Sequence, residues 1–240
     1  MEAPHHRPSL KGSGVKHPFQ EHPTIFAIIV VVSVVFVLDS AGMLPGHVEY
    51  GIVPLRVAQA WDSLLQRDLS SATLGTLLTT ITGLFLHGGP MHLLMNMVFL
   101  WMFGSLVSQY LGKWWALAAF FLCGIGGSVL HIVLNRGSEI PCIGASGAVS
   151  GYEGVYLGMA LRWRLDWPDV WPLARPIPPS QLGLFAVMGV GFDLFGLAQE
   201  GQGIAFGAHI GGFTTGLAFA CIITQIYPSL ERWETSGWQA

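Results

Sequence analysis

The chain has 240 residues, 52% hydrophobic and 10% charged, with a mean hydropathy of +0.54. Soluble domains carry roughly 25% charged residues, so this composition excludes an ordinary soluble globule and points to an all-α polytopic membrane protein. The net charge of −3 and the lack of any Lys/Arg-rich tract argue against nucleic acid as a partner.

Residues 1–23 are polar, with no small-residue cleavage site of a signal peptide, and read as a cytosolic segment. A spanning helix needs about 20 mostly apolar residues. Six candidates follow within a single membrane domain, residues 24–227: Thr24–Leu44, Pro90–Tyr110, Trp114–Leu134, Gly144–Leu161, Gln181–Ala198 and Gly203–Tyr227. Residues 228–240 form a cytosolic tail. Between the first two spans, Val57, Trp61, Leu64, Leu65 and Leu69 recur at helical spacing among charged residues, a stripe suited to a membrane surface. The apolar run Leu74–Leu86 is short for a span and reads as re-entrant or interfacial. The first loop is therefore expected to be membrane-embedded. Cys123 and Cys221 lie within apolar runs and are expected to be buried free thiols; with Cys142 they show no zinc spacing.

The basic residues set the orientation. With the N-terminus inside, Arg7, Lys11, Lys16, Lys113, Arg162, Arg164, Arg175 and Arg232 are cytoplasmic, and only Arg56, Arg67 and Arg136 are outside. The start of the fourth span then faces the outer leaflet.

Ionisable and strongly polar groups are expensive in hydrocarbon and need partners. Those within the spans are His92, Asn96, His131, Ser146, Ser150, Glu153, Asp193 and His209, with His87 just before span two. Ser146 is near the outer end of span four, and His209 is about two turns into span six, roughly 9 to 10 Å at 1.5 Å per residue. His92 and Asn96 occupy the first two turns of span two, so four groups from three helices share one depth. In span four, Gly144, Gly147, Gly151, Gly154 and Gly158 form a stripe down one face. Span six carries His209, Gly212 and Gly216 at matching spacing. If the glycine faces pack by close backbone approach, Ser146 meets His209, as a nucleophile and its general base require. His92 and Asn96, one turn apart behind Gly88-Gly89-Pro90, are placed to donate to a developing oxyanion, as are the free N–H groups where Ser146 opens its helix.

The segments "GASG", "HGGPMHLLMN" and "GAHIGGFTTG", in the order in which they bear on the site, resemble the rhomboid family of intramembrane serine proteases. The resemblance covers roughly Leu74 to Ala220. It implies a six-transmembrane-helix bundle, Ser146 as nucleophile, His209 as general base, and His92, Asn96 and the backbone N–H groups of Ala145 and Ser146 around the oxyanion. His87 falls at a mainly structural position. The implied partners are transmembrane protein substrates and the lipid bilayer, with no metal or cofactor. Loss of one oxyanion donor, as in Asn96→Ala, is expected to cost on the order of 100- to 1000-fold in turnover. The short termini suggest a minimal bacterial-type member of the plasma membrane, its site toward the outer face.

Two positions depart from patterns within that family. Leu78-Thr79 stand where some members carry a Trp-Arg pair in the first loop, and Ser150 stands where some carry a tyrosine stacked on the base. Ser150 is therefore expected to hydrogen-bond His209, directly or through water. Glu153 and His131 read as structural. Asp193 reads as a structural group at a capped kink near Gly189, Gly191 and Gly196, ahead of a gating role. The alternative function is an inactive rhomboid-like client-binding protein, although such proteins lose the serine or histidine that this chain keeps. A small transporter would call for an inverted repeat, and a metalloprotease for HExxH; the sequence has neither.

Overall fold

The computed structural model describes residues 21–165, 178–197 and 205–227; most of the polar N-terminal segment, Arg175, Ala198, Gly203 and the tail lie outside them. The described residues are helical, apart from turns, loops and a single β-bridge, Ile52–Cys142. Helix α1 (Pro23–Ser40) opens on a proline, whose missing N–H costs nothing in a first helical turn. Ile25, Ile28 and Val32 form its buried stripe, while Val30, Val31, Val34 and Val37 face outward, as befits a helix with lipid on one side. It stops at Ser40, short of the expected Leu44. The Gly42 N–H bonds the Asp39 carbonyl at 2.9 Å and the Met43 N–H bonds that of Leu38 at 2.9 Å, with Gly42 at φ +68. This is the Schellman arrangement, which glycine in the left-handed region permits.

The first loop contains α2 (His47–Tyr50), α3 (Pro54–Leu65), α4 (Ser71–Thr82) and a 3-10 turn over Gly83–Phe85. The expected surface stripe is only partly present. Val57 is buried, whereas Trp61 and Leu65 are exposed, and Leu69 lies beyond the end of α3. The loop is fastened to the segment ahead of the fourth expected span. The Ile52 and Cys142 backbones exchange hydrogen bonds at 3.0 and 2.8 Å, the Leu55 N–H bonds Ser138 O at 3.0 Å, and the Gly144 N–H bonds Gly83 O at 2.9 Å. Arg136 pairs with Asp62 at 2.9 Å on the outside of the same junction.

Spans two and three are one helical run, α5 (Pro90–Leu134), broken at Gly112 with φ 78 and ψ 170. That backbone conformation is open to glycine and hostile to residues with a Cβ. The remaining helices are α6 (Ser146–Ala160), α7 (Pro179–Leu197) and α8 (Phe206–Ile226). Among the described residues, α1, α5 and α8 are long and apolar enough to cross a membrane. α6, at 15 residues, begins two residues later than expected because Gly144 lies at φ +122, outside the helical region.

The core is built where α5, α6 and α8 meet. Leu100, Phe103, Leu106, Phe120, Tyr152, Tyr156 and Met159 are all within 1% of complete burial. The Tyr152 hydroxyl donates to Ala116 O at 2.8 Å, so this deep polar atom is satisfied. α6 and α8 pack along the glycine faces expected from the sequence. A Cβ on Gly212 would overlap the Gly147 carbonyl, one on Gly216 that of Gly151, and one on Gly154 that of Phe213. No larger residue fits this seam without separating the helices, which is the physical content of small-residue packing in lipid. Of the cysteines, all free, Cys123 is buried as expected, while Cys142 and Cys221 are partly exposed.

Candidate active site

Ser146 is the first residue of α6, so its own N–H has no partner four residues back within the helix. The turn that delivers it depends on Gly144. At φ +122 a side chain there is strained, and its Cβ would lie 2.8 and 2.9 Å from Cε1 and Nε2 of His92, with Ser146 Oγ at 3.8 Å. The missing side chain is the space in which the His92 ring lies beside Ser146. The helix seam then sets the position of His209: the Cβ position of Gly147 lies 3.2 Å from the carbonyl oxygen of Ala208, so the residue after Ser146 touches the residue before His209. Ser146, His92 and His209 are each partly exposed, and Asn96 is buried.

The ring atoms of His92 are assigned by their neighbours. The Gly88 N–H donates to Nδ1 at 3.3 Å, which leaves Nε2, the atom beside Gly144 and Ser146, to carry the proton of the neutral ring. His92 is therefore placed as a donor. Asn96 is committed differently: its amide donates to the His92 carbonyl at 2.9 Å within the same helix, leaving one N–H to spend elsewhere. The N–H of Ala145 is directed at His87 Nε2, at 3.5 Å. His87 is 1% exposed, its ring 4.9 Å from that of His92. Sited in the loop ahead of α5, it is held by burial at a pKa of about 4, so it stays neutral and accepts from Ala145.

His209 carries the largest departure from the sequence reading. Its Nδ1 lies 2.8 Å from Asp193 Oδ1, and the two side chains are 19% and 15% exposed. Among the described residues neither Ser146 Oγ nor Ser150 Oγ makes a hydrogen bond to His209, so the direct Ser150 contact is not formed. Asp193 lies within α7, which runs from Pro179 to Leu197, and its carboxylate meets His209 of α8. A charged group inside a span was the available signal; which helix it would face was not. His131 pairs with Asn135, Nδ1 to Nδ2 at 3.4 Å, as a structural group would. The Cβ position of Gly189 lies 3.4 Å from Glu153 Oε2, so Glu153 reaches from α6 to α7.

The family model for the Rhomboid domain matches residues 74–226. The chain belongs to the rhomboid family. This rhomboid is 34% identical over 148 residues to RHOMBOID-like protein 4 of Arabidopsis thaliana, covering 60% of this chain and 34% of that protein. It is 27% identical over 153 residues to Rhomboid-like protease 3 of Toxoplasma gondii, covering 64% of this chain and 54% of that one. Rhomboid protease GluP of Bacillus subtilis is 31% identical over 134 residues, 55% of this chain and 24% of that protein. The matched part of the rhomboid thus spans roughly a quarter to a half of these relatives' own lengths. Family and fold together make the chain an integral, multi-pass membrane protein with an all-α bundle.

Proposed function

We propose that this rhomboid is an intramembrane serine endopeptidase that cleaves peptide bonds in or near the transmembrane segments of other membrane proteins. The observation that supports the reading is the α6–α8 glycine seam, in which the residue after Ser146 meets the residue before His209, while His92 lies against the turn that precedes Ser146. Ser146 Oγ attacks the scissile carbonyl carbon as its proton passes to His209 Nε2. The oxyanion is held by His92 Nε2–H, the free Asn96 N–H and the Ser146 N–H; the Ala145 N–H joins them on leaving His87. As the C–N bond breaks, His209 returns the proton to the departing amine. Water, deprotonated in turn by His209, then attacks the acyl carbon; the bond to Ser146 Oγ breaks and His209 returns that proton to Oγ. The site opens toward the outer aqueous face, the N- and C-termini are cytoplasmic, and all six expected spans cross the bilayer. The membrane is a bacterial plasma membrane.

The alternative, a rhomboid that binds membrane clients without cutting them, draws on one observation: among the described residues no hydrogen bond joins Ser146 Oγ to His209. Such bonds are often loose before substrate arrives, so the chemistry needs a direct test. A fluorophosphonate probe should label the purified protein, and Ser146→Ala should abolish both labelling and cleavage of a transmembrane reporter. An unlabelled wild-type protein, correctly folded, supports the alternative.

A further inference from the structure

We propose that Asp193 is the positioning residue for His209, so that the site works as a serine–histidine–aspartate set built across three helices. The proposal rests on the reading of Ser146 and His209 given above.

The argument begins with atoms. An ionised carboxylate only accepts hydrogen bonds, and Asp193 Oδ1 is 2.8 Å from His209 Nδ1. Nδ1 must therefore carry the proton. A neutral imidazole has one N–H, so Nε2 is left with a free lone pair, which is the form that accepts a proton from a serine. Without Asp193 the ring has two tautomers and one contact fewer to fix its orientation, and only part of that population is competent. When the ring takes up the serine proton it becomes a cation, and the Asp193 charge lies against it in a site only 15% exposed on the aspartate side. In a set of this kind the proton stays on the imidazole and the carboxylate takes none.

Packing shows that this contact is built in. Gly189, Asp193 and Gly196 share one face of α7, at spacings of four and three. Each meets a neighbour: Glu153 of α6 approaches Gly189, His209 of α8 approaches Asp193, and the Phe206 ring occupies the space where a Gly196 side chain would stand. Phe206 also meets the His209 ring edge to face, with centroids 6.5 Å apart at 83°. Gly196 leaves the space that the Phe206 ring fills beside α7, and Phe206 restricts the His209 ring on the side away from Asp193.

The experiment compares wild type, Asp193→Asn, Asp193→Ala and Asp193→Glu, all purified in detergent. Asn is isosteric and is the variant least able to harm folding; a melting curve checks each. We expect Asp193→Asn and Asp193→Ala to lower kcat at least about 100-fold with KM within about threefold. The fluorophosphonate labelling rate should fall alongside, and Asp193→Glu should recover part of the loss. Nitrogen NMR of labelled histidine should show His209 protonated at Nδ1 in the wild type and a mixture of tautomers in Asp193→Ala. Wild-type kcat and labelling in Asp193→Asn, or an unchanged tautomer in Asp193→Ala, overturns the proposal. The parent reading fails separately, if the wild type does not label or Ser146→Ala still does; the NMR comparison tests Asp193 without any turnover.

Discussion

At the scale of single residues, His92 and Asn96 sit one turn apart on α5, yet they are unequal donors. His92 Nε2–H faces the Gly144–Ser146 turn, whereas Asn96 already spends one N–H on the His92 carbonyl at 2.9 Å. Loss of a well-aimed oxyanion donor costs on the order of 100- to 1000-fold in turnover. We expect His92→Ala to fall in that range and Asn96→Ala to cost less, which revises the sequence expectation for Asn96. Steady-state kinetics on a transmembrane reporter decides it; equal losses would show that Asn96 turns its second N–H fully onto the oxyanion. Gly144→Ala should be worse than its size suggests. It forces a side chain into φ +122 and against the His92 ring, with backbone strain alone of about 1–3 kcal/mol, and it should lower both melting temperature and labelling rate.

At the scale of helices, the α6–α8 seam makes a sharper demand. The Cβ of Gly212→Ala overlaps a backbone carbonyl, which has nowhere to go unless the helices part. Overpacking typically costs 1–3 kcal/mol, and parting the helices also separates Ser146 from His209, so activity should fall more than stability. Gly191→Ala is the control, since nothing lies within 4 Å of its Cβ position; it should be silent or slightly stabilising. A Gly212→Ala protein with normal melting and turnover would contradict the seam. The start of α4 offers a pH test. Asp68 accepts from Thr73 Oγ1 at 2.6 Å and from the Ser70 N–H at 2.9 Å. These bonds, Thr73's foremost, hold its carboxyl below the usual range. A pKa lowered by folding gives stability that is present above about pH 3.9, the unfolded value, and is lost as pH falls through the native value. Asp68→Asn should therefore speed amide exchange at the first turn of α4 near neutral pH, and its difference from wild type should shrink below about pH 4.

At the scale of the whole molecule, the features legible in the sequence were those with a period. The glycine stripes of α6 and α8 repeat every three to four residues, so two faces able to pack closely were visible from helix geometry, and they do meet. The break at Gly112 falls between the expected spans Pro90–Tyr110 and Trp114–Leu134. Contacts that depend on how a helix is rotated were hidden: α7 is apolar on most faces, so nothing in its pattern told that Asp193 would face α8. The bridge between Ile52 and Cys142 was hidden for another reason, since pairing between distant loops has no local signature. The proposed orientation makes its own prediction. A green fluorescent protein fused to the C-terminus should fluoresce in bacterial cells. An impermeant maleimide should label Arg136→Cys in a background free of native cysteines. A dark fusion would invert the topology. The Ile52–Cys142 bridge also imposes an order in time. The first loop is synthesised long before residues 138–144, so its backbone partners arrive late, and the helix bearing His209 arrives later still. A chain that has just reached Ser146 holds the partners of its turn but no base. On the proposed reading, the membrane never contains a partly inserted copy able to cut its neighbours: hydrolytic competence comes with the last helix.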